Sequence, residues 1–537
     1  MMVEVNTAPV ISDSLPDNTE RDTANLAVAA NTAAANRVDT ANPGDCANTD
    51  STANPDASAN PDASANTAFR ANPLFRWFVV NSLTYAAFAL YYRSDFVDAK
   101  YVNHHISNLI ITIPAVVLLL YSYWRGYLAV RDSSNVSVSA ITICGIISAL
   151  IAVLIPNFHS SDVFSYLDVG WLQAHYHLNP YVTTVDQVPN FHADSMFTGV
   201  WAWNPCPYGF AFAALVKFVC NICRGNLATA ALLMKCINFS AFVSLAVFVF
   251  AGAKRLRLAK PELSLYLYLW SPFVLIQSLA NAHNDVLMTL FVMIGMFCSF
   301  ANLAILALPA LVVSTQIKFL WLVSAPFISL FIYRKFGFRT LITSIAASAL
   351  ILAILAAPYA ADFSHFRFDI MRQDLSFNGK SLPALVENIG HGVERLLYHS
   401  TTLPWFEDGL KQFVLGLKAV IFIGFSIFCL TLFGKAMRKG KSYSAGAMIH
   451  DSLLVALLAV CVVSSKFHPW YVLMFFPVAL WLPEDSNLRR LAVVLSCTQL
   501  LAITYLGHSG GINYVLLTAT PLVYFLARQL RAQKQPI

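Results

Sequence analysis

The sequence predicts an all-α fold, a polytopic transmembrane helical bundle. Three observations carry that expectation. Hydrophobic residues make up 57% of the chain and charged residues only 12%, with a mean hydropathy of +0.59. A soluble domain carries about 25% charged residues. The apolar material falls into runs of roughly 15–25 residues, the length a helix needs to cross a bilayer. The short alternating segments of a barrel are absent, and backbone groups in lipid must pair internally. A bundle of about 13–15 helices is the remaining solution.

Residues 1–70 stand apart from this pattern. They are rich in Ala, Asn, Thr, Asp, Ser and Pro and carry the repeat "ANPDASANPDASANTA". Low hydrophobicity with an acidic excess predicts a disordered tail. No basic stretch leads into an apolar one there, so the tail does not read as a signal peptide. The second region, 71–537, is the multi-pass membrane domain. Its expected helices are 75–92, 107–124, 136–156, 206–222, 227–252, 262–280, 284–302, 304–316, 318–333, 340–357, 411–433, 446–463, 469–483, 490–506 and 512–527.

The formal net charge of +6 is not a nucleic-acid signal, because most basic residues sit in short loops between apolar runs, where they set orientation. The clusters Lys254/Arg255/Arg257/Lys260, Arg334/Lys335/Arg339, Lys435/Arg438/Lys439/Lys441 and Arg528/Arg531/Lys534 are expected to be cytoplasmic, with the N-terminal tail. Alternation then puts the loops 157–205, 281–283, 358–410, 464–468 and 507–511 outside. One conflict arises: two full crossings between 206 and 252 would leave Lys254 on the wrong side, so one of those helices is re-entrant or surface-lying, or the charge rule fails locally. The pair 304–316 and 318–333 is short, with Lys318 at its apex, and reads as a hairpin reaching part-way to the outer face. Most of the ten cysteines lie within apolar runs and are expected to be buried and reduced. No CxxC pair with metal spacing lies in a loop.

The polar motifs converge on the outer side. "NFHSSDVFSYLDVGWLQAHYHLNPY", Asn157 to Tyr181, follows the third apolar run and supplies Asp162, Tyr166, Asp168, Asn179 and Tyr181. As a helix, "DVFSYLDVGWLQAHY" would place Asp162 and Tyr166 on one face and Val163, Phe164, Leu167 and Trp171 on the other. That is the pattern of an amphipathic helix lying at the membrane interface. An acid beside a membrane end is costly unless hydrated or paired, which singles out Asp162. "VWAWNPCPYGFAF" contributes Trp203 and Tyr208 and breaks into the next helix. "SLANAHNDVLM" places His283, Asn284 and Asp285 at the junction of two spans. A capping turn would account for one of the three. "STQIKFLW" carries Lys318, for which snorkelling is the ordinary explanation. "SSKFHPWYVLMFF" carries Lys466, His468, Trp470 and Tyr471; an aromatic belt explains the last two but not the lysine and histidine. The loop 358–410 adds Arg367, Arg372, Lys380, His391 and Arg395 against the positive-inside bias, through either anion binding or simple solvation.

"SSDVFSYLDVGWLQAHYHLNPY", "PYGFAF", "AHNDVLM", the lysine of "QIKFLW" and "HPWYVLMF" together resemble, in order and topology, the polyprenol-phosphate-mannose-dependent α-(1→6)-mannosyltransferases of actinobacterial lipoglycan synthesis, within the GT-C glycosyltransferase superfamily. The resemblance runs from about Phe75 to the C-terminus. It departs at Phe210, where the family's PYGP has proline, and at "DVG" 168–170, where small polar residues are usual.

The resemblance implies a glycosyltransferase of the cell envelope, working at the outer face of the plasma (inner) membrane with an outer-face catalytic loop. It implies inverting transfer of a hexose, mannose first, from a polyprenyl-phosphate sugar to a glycan or glycolipid acceptor. Asp162 matches the family's loop aspartate and is expected to be the general base. Asp285 as base, with Asp162 as sugar ligand, is the alternative. Lys318, Arg372, Lys466 and His468 are the candidates for the lipid phosphate. Tyr166, Asn179, Tyr181, Trp203, Tyr208, His283, Asn284, Asp285, Trp470 and Tyr471 are the candidates for the sugar. A divalent metal could bridge Asp162 and Asp285 if they met, but no dense carboxylate cluster indicates one. Two rivals remain at this stage: a transporter or flippase of lipid-linked saccharides, expected to show repeated halves, and a GT-C enzyme for glucose or arabinose.

Overall fold

A computed structural model describes residues 73–93, 108–133, 136–366, 381–398, 404–464, 467–503 and 514–534. The chain divides into two units, Met1–Pro61 and Asp62–Ile537, and all described residues belong to the second. The acidic tail 1–70 lies outside the described residues. Among those described there is no β-strand, and seven helices are long and apolar enough to cross a membrane.

Local sequence sets where these helices start and bend. Ser137, Asn226 and Ser444 each cap a helix by accepting a backbone N–H, from Ala140 at 3.1 Å, Thr229 at 2.8 Å and Ala447 at 3.2 Å, the ordinary way of satisfying a first-turn donor. Gly337, with φ +88°, makes the sharp turn between Ala325–Phe336 and Phe338–Ala356; a side chain there would be strained.

The expected single helix 262–280 is interrupted. Pro272 removes a backbone donor, so the helix Pro261–Leu269 stops, and Ser271 caps a restart at Pro272–Val274 that widens into a π-helix, Leu275–Ala280. This span is wholly enclosed by protein. By contrast, Phe338–His365 and Trp405–Arg438 are mostly exposed. In water such faces would be a liability; on a membrane protein they are the lipid-facing wall.

The boundaries differ from expectation in a few places, each for a local reason. The helix expected at 411–433 begins at Pro404, because proline is tolerated in a first turn and the polar Glu407 and Asp408 sit comfortably there. The segment expected at 469–483 is a 3₁₀ turn, Pro469–Met474, and a short helix, Phe476–Ala479, divided by Pro469 and Pro477. A helix Leu382–Tyr398 occupies part of the expected outer loop.

The stretch 162–174 is helical, as its pattern suggests, but it does not lie on a surface with one wet face. Val163, Phe164, Tyr166, Leu167, Asp168, Leu172 and Gln173 are all buried. The helix packs tightly on Phe210–Cys223, where a Cβ on Gly170 would come within 2.5 Å of the Val216 carbonyl oxygen. Phe210–Cys223 has 14 residues, about 21 Å of helix, short of the roughly 30 Å hydrocarbon core. The helix Leu227–Arg255, with 29 residues, has the length of a span.

The basic clusters meet at one end of the bundle. Arg255 Nε donates to the Phe300 carbonyl at 3.2 Å, joining the C-terminal ends of two helices. Arg334 reaches the Met437 carbonyl at 3.4 Å, and Lys260 reaches that of Arg131. The polar motifs gather at the opposite end. The last quarter of the chain closes the interior: Ser264 Oγ donates to Leu480 O at 2.9 Å, Thr289 Oγ1 to Leu473 O at 3.1 Å and Trp321 Nε1 to Met474 O at 3.0 Å.

Candidate active site

Four sequence-distant segments meet at that opposite end. The π-helix Leu275–Ala280 terminates at Asn281, and Ala282 takes a left-handed conformation, φ +56°. For a residue with a Cβ this costs on the order of 1–3 kcal/mol. The turn carries the chain into the helix Asp285–Phe300 and leaves His283, Asn284 and Asp285 fully buried. Asn281 ties in the second segment: its Oδ1 accepts from the backbone N–H groups of Phe158 at 3.3 Å and His159 at 3.2 Å. Those residues lead directly into Asp162, the first residue of its helix.

The Asp162 carboxylate keeps 22% of its surface exposed, while His283 beside it has none. Oδ2 lies 3.5 Å from His283 Nδ1. Burial pushes the Asp162 carboxyl up, but His283 and the charges of His468 and Lys318 outweigh that and hold it below the ordinary aspartate value. A helix N-terminus favours the anion further.

The third segment is the hairpin apex. Lys318 Nζ stands 2.7 Å from Asp285 Oδ1 and 5.2 Å from the centre of the Tyr471 ring. Asp285 Oδ2 and both His283 ring nitrogens have no hydrogen-bond partner of good geometry among the described residues. Such orphaned buried groups are unusual in a resting fold and are expected where a ligand completes the network.

The fourth segment is Phe467–Met474. Trp470 lies nearly parallel to His283, with centroids 4.1 Å apart, and to His468, 4.5 Å apart. His468 also meets Tyr471 edge-on at 5.2 Å.

Behind this cluster, Tyr166 donates to Asn284 Oδ1 at 3.5 Å, and its buried ring is held between the edges of Tyr208 and Phe212. Enclosed in this way, Tyr166 supports Asn284 and offers no open face for a sugar. Gly209, of the "PYG" motif, lies so close to the hairpin that a Cβ would come within 2.5 Å of Gln316 Cα. Phe210 N–H donates to Gln316 Oε1 at 3.3 Å and Phe212 N–H to its carbonyl at 3.2 Å.

Asn179 and Tyr181 form an adjoining group. Asn179 Nδ2 donates to Asp362 at 2.8 Å, and Tyr181 Oη donates to the Tyr208 carbonyl at 2.9 Å. Trp203 stands apart: it is exposed and lies edge-on to Trp201 at 5.7 Å. Arg372 and Lys466, with Arg367 and Lys380, lie outside the described residues. No group of three or more His, Cys, Asp or Glu side chains able to hold a metal ion occurs among the described residues.

Sequence reasoning passed over Asn281 and His159. The signal was available for Asn281, which lies two residues before His283 in the same polar run. His159 is placed edge-on to Trp470 at 6.3 Å, a contact across more than 300 residues that no local pattern announces.

Residues 82–334 match the sequence model of a family described as Alpha-(1->6)-mannopyranosyltransferase, N-terminal domain. That range holds Asp162, the His283–Asp285 triplet and Lys318; His468, Trp470 and Tyr471 lie beyond it. Over 261 residues the chain is 26% identical to alpha-(1->6)-mannopyranosyltransferase A of Mycobacterium tuberculosis, a match covering 47% of this chain and 49% of the relative. The chain thus spans about half the length of the curated relative it matches. No solved structure matches it.

Proposed function

We propose that this chain, whose residues 82–334 match the model of the alpha-(1->6)-mannopyranosyltransferase N-terminal domain family, is a membrane glycosyltransferase. It transfers mannose from polyprenyl-phosphate mannose to a glycan or glycolipid acceptor, by inverting displacement, at the outer face of the plasma membrane. The N-terminal tail is then cytoplasmic. One observation carries the reading: a partly exposed Asp162 stands among His283, His468 and the Lys318–Asp285 pair.

In the proposed reaction the acceptor hydroxyl oxygen attacks the anomeric carbon from one side. The bond from that carbon to the donor phosphate breaks on the other. Asp162 takes the hydroxyl proton, and the lipid phosphate departs with the bonding electron pair. A lowered pKa secures the anionic form of Asp162 at neutral pH at some cost in basicity. Placement within hydrogen-bond reach is what makes a base effective, typically by about 10²–10⁴-fold. Lys318 and His468 offset the charge that develops on the phosphate, with Arg372 and Lys466 as further candidates. Tyr471, which stays partly exposed, serves the sugar, and the buried Trp470 and Asn284 shape the wall behind it. Asp285, already paired with Lys318, is poorly suited to accept a proton and better suited to aim that lysine.

The test compares membranes carrying wild type and Asp162→Asn, supplied with radiolabelled polyprenyl-phosphate mannose and a mannoside acceptor. Wild-type transfer that drops by about 10²–10⁴-fold in a normally inserted variant is expected. Equal transfer by both removes Asp162 as the base. No transfer by wild type overturns the assigned donor or acceptor.

A further inference from the structure

A cavity of about 580 Å³ opens at the basic end of the bundle, within the roughly 300–1,000 Å³ that small-ligand sites occupy. It belongs to a different place from the candidate active site. Leu263 lines it near the start of the buried 261–280 span, and His283 lies just past the other end of that span.

Its walls are mostly apolar, and exposed Trp124 and Tyr524 stand at its rim, the aromatic pattern of a membrane–water boundary. Its polar end holds three guanidinium groups, Arg489, Arg490 and Arg528, against a single lining carboxylate, Glu484. Arg490 is engaged through Nε with the Glu484 backbone carbonyl at 3.1 Å. Arg489 is the unusual member. It is only 3% exposed, its Nη1 donates to the Leu482 carbonyl at 2.8 Å, and its Nη2 has no partner of good geometry among the described residues. Arg489 and Arg490 also lie in the first turn of the helix Asn487–Leu501, where cations oppose the helix dipole. An anion in the cavity would offset the charge of buried Arg489 and relieve that opposition, and guanidinium is well matched to phosphate oxygens.

We propose that this cavity binds an anionic phospholipid of the surrounding bilayer, with the headgroup phosphate at Arg489, Arg490 and Arg528 and the upper part of one acyl chain along the apolar wall at Trp124 and Tyr127. Phosphate charge matches the guanidinium end, and the apolar walls match a chain entering sideways between helices.

The experiment titrates the detergent-purified full chain with dioctanoyl phosphatidylglycerol, dioctanoyl phosphatidylcholine, inorganic phosphate and a polyprenyl phosphate. Binding is read as a saturable rise in the thermal unfolding midpoint. Phosphatidylglycerol is expected to bind at least about tenfold more tightly than phosphatidylcholine, and inorganic phosphate to give no rise. Arg489→Gln removes a hydrogen bond to Leu482 and threatens folding by itself, so the decisive variant is the exposed pair Arg490→Gln/Arg528→Gln. It should retain the wild-type midpoint without lipid and lose at least about tenfold in phosphatidylglycerol affinity. Equal binding of the two phospholipids, or unchanged affinity in the double variant, overturns the proposal. A full response to inorganic phosphate overturns it in favour of a free-anion site, and tighter binding of the polyprenyl phosphate overturns it in favour of the carrier lipid.

Discussion

Lys318 Nζ and Asp285 Oδ1 stand 2.7 Å apart, 33 residues apart in sequence, with the carboxylate fully enclosed and the lysine nearly so. Removing one member of such a pair leaves a buried charge uncompensated, at a cost of about 3–5 kcal/mol. Lys318→Met is therefore expected to destabilise strongly, and Lys318→Met/Asp285→Asn to recover much of that stability without recovering transfer. Thermal unfolding of the three proteins in one detergent checks this. A double variant no more stable than Lys318→Met would show that the two charges are not energetically coupled.

The pH dependence of transfer tests the partner of Asp162. Its carboxyl is held below the ordinary value of about 4 by His283 and the cations nearby, against the upward push of burial. A lowered folded-state pKa keeps the base ionised as pH falls, so the acid limb of kcat/KM should lie below about pH 4. His283→Gln should move that limb upward. An acid limb unmoved by the substitution would mean that His283 does not stabilise the anion.

Asp168 offers the opposite sign. Burial raises its pKa to about 7, although Thr198 donates to it from the backbone at 2.9 Å and from the hydroxyl at 3.0 Å. Folding thus favours the protonated form. Stability should fall as pH rises from about 4, the ordinary aspartate value, and level off above about 7. Asp168→Asn should flatten that slope, as unfolding midpoints across this range will show. An unchanged slope would assign the pH dependence to another group.

Gly209 sets the position of the hairpin that carries Lys318. A methyl group there would collide with the backbone at Gln316, not with a side chain free to turn away. Gly209→Ala should insert normally and lose on the order of 10²-fold in kcat/KM, the penalty expected for about 1 Å of misplacement. Wild-type kinetics in this variant would show that the hairpin yields without consequence.

The helices were largely legible because lipid imposes a length and a composition on each crossing. The breaks were less so. Pro272 announces an interruption, but not the π-helix after it, nor the hold of the Phe158 and His159 N–H groups on Asn281 at its end, a contact that is invisible locally. The ordered polar motifs identified most of the cluster, since Asp162, His283, Lys318 and His468 each stood out against apolar surroundings. What they could not show was pairing. Asp285 and Asp162 read alike in sequence and are separated only by their neighbours, a lysine at 2.7 Å for one and partial exposure for the other. Trp203 and Tyr166 also read alike as stacking rings, yet one is exposed in a turn and the other enclosed.

The enclosed 261–280 span has a consequence for biosynthesis. Ser264, Thr289 and Trp321 donate to carbonyls of Leu480, Leu473 and Met474, so the groups that seal the interior are synthesised 216, 184 and 153 residues after the residues they pair with. At a synthesis rate of about 5–20 residues per second, the nascent bundle waits on the order of ten seconds or more with this span in contact with lipid or a holding factor. The residues of the candidate site gain their final neighbours only when Phe467–Met474 emerges. A ribosome-stalled chain ending before residue 467 would thus hold His283 and Asp285 without Trp470, inserted but not yet assembled.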